Sequence, residues 1–135
     1  MQATVSPEIG RGRKNVLLVF YPLAFSPVCS HQLPMIQRDL DRFHARSTEV
    51  LGISVDSHYA NEAFARHLLV TFPLLSDFHR KAARDNGVLL PEHLYSGRAL
   101  FLIDREGKIA YRDVSPTLGE IPRNEPVLEA LARLA

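Results

Sequence analysis

The sequence predicts an α/β fold in which a mixed central sheet is covered by helices on both faces. Two continuous apolar, β-branched runs, residues 15–21 and 49–56, are separated by a stretch with helical periodicity, the pattern of parallel strands joined by a crossover. Residues 99–103 and 108–112 flank the turn sequence DREG at 104–107, the pattern of an antiparallel hairpin. A chain of 135 residues suits one domain, read here as residues 1–135.

Residues 15–21 form an uninterrupted run closed by Pro22, which suits a central strand buried on both faces. From Cys29 onward, Leu33, Ile36, Leu40 and Phe43 recur at spacings of three and four, with Gln37, Arg38, Asp39 and Arg42 between them, so an amphipathic helix follows. Pro34 falls inside it and removes one backbone donor, which predicts either a kink at that point or a separate preceding turn that carries Cys29.

The second strand spans 49–56, and a second helix spans 58–69 with Ala60, Ala63, Phe64 and Leu68 on one side. Residues 72–77 read as a short edge-like strand, because Pro73 cannot donate to a ladder. Residues 79–86 before Gly87 read as a short helix with a glycine C-cap. After the hairpin, residues 113–124 hold two prolines and a glycine and read as a loop, and residues 125–135 read as a closing helix.

Sixteen basic against fifteen acidic residues give a net charge of +1, which supplies no electrostatic case for nucleic acid or an anionic membrane as partner. The longest apolar runs fall far short of the roughly 20 residues a transmembrane helix needs. The start lacks the basic and apolar regions of a signal peptide, so a cytoplasmic location is expected.

Cys29 is the single cysteine, which excludes an intramolecular disulfide and a multi-thiolate zinc site. A lone cysteine is usually an inert core residue. This one follows a strand at the expected start of a helix, where backbone donors and the helix dipole favour an anion, and the thiolate is the nucleophilic form. The six histidines, at 31, 44, 58, 67, 79 and 93, are scattered without paired ligand spacing and read as surface residues, with no metal site expected. The turn at 104–107 lacks the ligand series of a calcium loop.

The string FYPLAFSPVC at residues 20–29 places Pro22, Ser26 and Cys29 in a pattern that resembles the Pro-x-x-x-Thr/Ser-x-x-Cys signature of peroxiredoxins. The segment SGRALFLID at 96–104 resembles that family's stretch with an active-site arginine just before a core strand, and FPLLSD at 72–77 also matches a family segment. The resemblance runs from about Asn15 to the C-terminus and is closest to the one-cysteine enzymes of the alkyl hydroperoxide reductase E type. It implies a thioredoxin-like fold and a thiol-dependent peroxidase that reduces hydrogen peroxide and organic hydroperoxides through a sulfenic acid on Cys29.

In that reading Cys29 is the peroxidatic nucleophile, Arg98 and Ser26 orient the peroxide, and Pro22 shelters the pocket. No metal or organic cofactor is implied. With no second cysteine, the implied reductant is an external thiol, either a low-molecular-weight thiol or a thioredoxin or mycoredoxin-like protein. A homodimer is implied as well.

The chain departs from the pattern at three points: Ser26 replaces the usual threonine, Gln32 stands where a glutamate is common, and only 14 residues precede Asn15, so the usual N-terminal hairpin is expected to be missing. Two alternatives stay open. A monothiol disulfide oxidoreductase of the same fold is disfavoured, because the position three after Cys29 is Gln32 rather than Cys or Ser. A peroxide sensor that uses sulfenylation of Cys29 as a signal would react once and stop.

Overall fold

The computed structural model describes residues 14–134, and the expectation about the N-terminal hairpin lies outside them. Strand β1 (Asn15–Phe20) is buried at every position and takes the centre of a five-stranded sheet of order β3-β2-β1-β6-β7. Its neighbours are β2 (Thr48–Ser54), parallel, and β6 (Ala99–Ile103), antiparallel. β3 (Leu74–Ser76) is parallel to β2 at one edge, where Pro73 costs no ladder bond. β7 (Ile109–Val114) pairs antiparallel with β6 at the other edge and reaches two residues into the stretch expected to be loop.

Side-chain alternation along the central strands builds two cores. Leu17, Val19, Leu100 and Leu102 face one side, where they meet Leu33, Ile36, Leu40, Phe43, Phe64, Val127 and Leu131. Val16, Leu18, Phe20, Phe101 and Ile103 face the other, against Ala82, Ala83 and Val88. Helices α1 (Cys29–Arg38), α2 (Leu40–His44), α3 (His58–Leu68) and α5 (Glu125–Leu134) therefore share one face, and α4 (Lys81–Asp85) covers the other. The shared side of α1 and α3 follows from handedness, because two successive right-handed crossovers that step the same way along a sheet put their helices on the same face.

The expectation of a separate turn before Pro34 that carries Cys29 is corrected. Helix α1 runs through Pro34 and carries Cys29 as its first residue, and the interruption falls at Asp39 instead. Leu33 and Ile36, buried on either side of Pro34, hold the segment against the sheet, so packing outweighs one missing backbone bond. The end of α1 is set from outside: Asn124 donates its side-chain amide to the Met35 carbonyl and to the Asp39 carboxylate, which satisfies a carbonyl a continuing helix would have used.

Two further differences come from local geometry. Arg80 sits at φ 65°, which delays α4 to Lys81, and the Asp77 carboxylate caps it by accepting the Ala82 and Ala83 N–H groups. Gly87 takes the left-handed conformation at φ 71° that the C-cap requires. A two-stranded ribbon, β4 (Leu89–Leu90) with β5 (Tyr95–Ser96), was not foreseen. None of the described helices is long and apolar enough to cross a membrane.

Candidate functional site

The parallel strands β1, β2 and β3 end on the same edge of the sheet, where open α/β sheets commonly place their sites. Residues 21–28 leave β1 there, cross the ends of the strands and turn into α1. Within this loop the Ser26 N–H and hydroxyl both donate to the Leu23 carbonyl, and the Ser30 N–H and hydroxyl both donate to the Ser26 carbonyl. Phe25 is at φ 66°, and its ring lies 4.9 Å from that of Phe64 on α3. The chain of local bonds delivers Cys29 to the first position of α1, fully buried.

Arg98 arrives from a different direction, on the residue before β6. Its Nη1 donates to Cys29 Sγ at 2.9 Å and to Gln32 Oε1 at 2.9 Å, and its Nε donates to the Leu118 carbonyl at 2.5 Å. Gln32 lies one turn along α1 from Cys29, is 1% exposed, and reaches the Phe20 carbonyl with its amide at 3.4 Å. Among the described residues no carboxylate forms an ion pair with Arg98, and Cys29 Sγ is one of the three acceptors around this buried guanidinium.

The structure therefore joins Cys29 and Arg98, and brings Gln32 into the same cluster. Pro22 is buried in the loop after β1. Ser26 is different: its hydroxyl donates to the Leu23 carbonyl at 2.9 Å and is part of the loop's own bonding, with its remaining lone pairs as the groups left for any substrate contact. Arg98 is 3% exposed and bonded on three sides.

A polar network behind the loop was missed at the level of sequence. Tyr21 donates its hydroxyl to Asn61 Oδ1 at 2.6 Å, and Ser54 donates to Asp56 Oδ2 at 2.7 Å and lies 3.1 Å from Asn61 Oδ1. Burial pushes the Tyr21 phenol well above its ordinary range. Ser96 closes the other flank by donating to the Tyr21 carbonyl. The available signal was the position of Tyr21, Ser54, Asp56 and Ser76 at or just after the ends of parallel strands.

All six histidines are exposed. Among the described residues no three His, Cys, Asp or Glu side chains converge as metal ligands would. Open grooves of about 440 and 390 Å³, lined by residues such as Glu62 and Pro73 in one and Arg46 and Glu106 in the other, do not include Cys29.

A buried thiol at a helix start, bonded to a guanidinium on the edge of a mixed sheet, defines a thiol-based member of the thioredoxin-like folds. Residues 2–112 match the AhpC/TSA family, and the chain belongs to that family. It is 36% identical over 126 residues to the alkyl hydroperoxide reductase E of Mycobacterium tuberculosis, covering 92% of this chain and 82% of that protein. It is 37% identical over 125 residues to peroxiredoxin-2 of Bos taurus, covering 87% of this chain and 61% of the relative. Among solved structures, the reduced 2-Cys peroxiredoxin of Plasmodium vivax superposes with a TM-score of 0.83 at 33% identity, over 93% of this chain and 68% of the other. Enterococcus faecalis AhpC gives 0.84 at 29% identity, over 90% and 74%.

Proposed function

We propose that the chain is a one-cysteine thiol-dependent peroxidase in which Cys29 is the nucleophile and Arg98 the group that orients and activates it. The observation that carries this reading is the 2.9 Å bond from Arg98 Nη1 to Cys29 Sγ inside a buried cluster at the start of α1. The Cys29 thiolate attacks the terminal oxygen of a hydroperoxide. The S–O bond forms as the O–O bond breaks, the alkoxide or hydroxide leaves and takes up a proton, and the sulfur is left as a sulfenic acid.

Arg98 has charge and several donors in a fixed plane, which suits both the thiolate and the oxygen that gains negative charge in the transition state. Pro22 keeps water from the sulfur, and Ser26 contributes a hydroxyl with free lone pairs at the mouth of the loop. An external thiol then condenses with the sulfenic acid, releasing water and forming a mixed disulfide, and a second thiol frees Cys29. A peroxide is thus the substrate and a thiol the reductant. The finer assignments are a low-molecular-weight thiol, a thioredoxin or a mycoredoxin-like protein as reductant, a homodimer as the working unit, a cytoplasmic setting, and residues 1–135 acting as one domain.

The reading is tested by steady-state consumption of hydrogen peroxide and an organic hydroperoxide with a supplied thiol. Continued turnover is expected. One equivalent of peroxide consumed per chain, followed by arrest, would instead identify a sensor.

A further inference from the structure

Asp56 lies two residues beyond β2, and its carboxylate faces the loop that carries Cys29. Its Oδ2 accepts the Ala24 N–H at 2.7 Å and the Ser54 hydroxyl at 2.7 Å. Its own N–H donates to Ser54 Oγ at 3.2 Å, and its carbonyl accepts the Ser76 hydroxyl at 2.6 Å. The carboxylate is thereby held from both ends of the residue by groups on β2 and β3, and its one bond to the loop is the bond to Ala24. From Ala24 the connection continues through local bonds: Ser26 to the Leu23 carbonyl, then Ser30 to the Ser26 carbonyl in the turn that contains Cys29.

We infer that Asp56 is a positioning residue for the peroxidase reaction: its carboxylate clamps residues 21–28 to the ends of β2 and β3 and so keeps Pro22 and Cys29 in register with Arg98. The inference rests on the peroxidase reading. A charged acceptor to a backbone N–H is among the stronger hydrogen bonds a loop can use. Tyr21 anchors the start of the loop through its bonds to Ile53, Asn61 and Ser96, whereas beyond Ala24 the contact of Phe25 with Phe64 involves a residue at φ 66° and half exposed, so it opposes opening of that part less firmly. With the clamp released, the closed arrangement is less populated, and Cys29, fully buried when the loop is closed, becomes accessible more often.

Two rates measured on the same reduced protein test this: second-order oxidation by hydrogen peroxide, which needs the closed cluster, and alkylation by iodoacetamide, which needs access to the sulfur. Asp56→Ala should oxidise about ten-fold or more slowly, as for other losses of preorganised geometry, and should alkylate faster than the parent. Asp56→Asn, which keeps one acceptor oxygen, should fall between. Val127→Ala, on α5 and outside both residues 21–28 and their hydrogen bonds, serves as the control for general destabilisation, and it should keep the parent's ratio of the two rates. Parent-like rates in Asp56→Ala, or a ratio that moves no further than in Val127→Ala at matched melting temperature, overturn the inference. If the parent itself fails to consume peroxide, the peroxidase reading falls, and the alkylation arm still reports whether Asp56 clamps the loop.

Discussion

Arg98 donates to Cys29 Sγ at 2.9 Å across 69 residues of sequence, and both side chains are withdrawn from solvent. In the proposed peroxidase reaction this contact brings positive charge and hydrogen-bond donors to the monothiol. The same contact makes the arginine part of the fold, since its Nε and Nη1 are shared among Leu118, Gln32 and Cys29.

Replacing Arg98 should therefore cost both rate and stability. Arg98→Lys loses the planar fork and Arg98→Ala loses the charge as well, so peroxide oxidation should slow by about ten-fold or more in each. Because Gln32 Oε1 and the Leu118 carbonyl lose a buried donor, unfolding free energy should also fall by about 1–3 kcal/mol. Stopped-flow oxidation per folded molecule, set beside urea unfolding, checks this. A variant that loses stability but oxidises at the parent's rate would make Arg98 purely structural.

Gln32 should matter through Arg98. Gln32→Leu keeps the volume but removes the acceptor for Nη1 and the donor to the Phe20 carbonyl, so the guanidinium is less firmly aimed at the sulfur. Slower oxidation is expected, with a loss of about 1–3 kcal/mol for the unpaired buried groups. Unchanged kinetics would show that Leu118 alone holds Arg98 in place.

Alkaline pH should weaken the fold through Tyr21. Its phenol is raised well above the ordinary value of 10.0 by burial, so the folded state holds the proton more tightly than the unfolded chain. The stabilising effect is complete below the unfolded value and is lost as pH rises through and beyond about 10. Tyr21→Phe lacks this titration, although it also loses the bond to Asn61, so it should be less stable near neutral pH and fall less steeply above pH 10. Denaturant midpoints from pH 8 to 11 compare the two slopes; parallel curves would contradict the assignment.

The fold was legible where periodicity was long. β1, β2, α3 and the β6–β7 hairpin lie within a few residues of their expected places, because five or more residues of consistent pattern outweigh local noise. Strands β4 and β5 have two residues each and carry no readable period. The separate turn expected before Pro34 is absent because the packing of Leu33 and Ile36 that carries the helix through it is tertiary.

At the site, Cys29, Arg98 and Pro22 could be picked out from their strings. The burial of Arg98 could not, because its partners come from three separated segments. Ser26 was expected to orient the peroxide; its bond to the Leu23 carbonyl could not be foreseen from its string, because it depends on the turn the loop adopts.

The role of Cys29 is open to one direct comparison: reduced protein and its Cys29→Ser variant mixed with hydrogen peroxide or an organic hydroperoxide, with the oxidised product read by intact mass. The parent should gain one oxygen at Cys29 at a rate first order in peroxide and consume peroxide continuously once thiol is supplied, whereas the serine variant, folded as the parent, should do neither. Peroxide turnover that survives in Cys29→Ser would contradict the account at its centre.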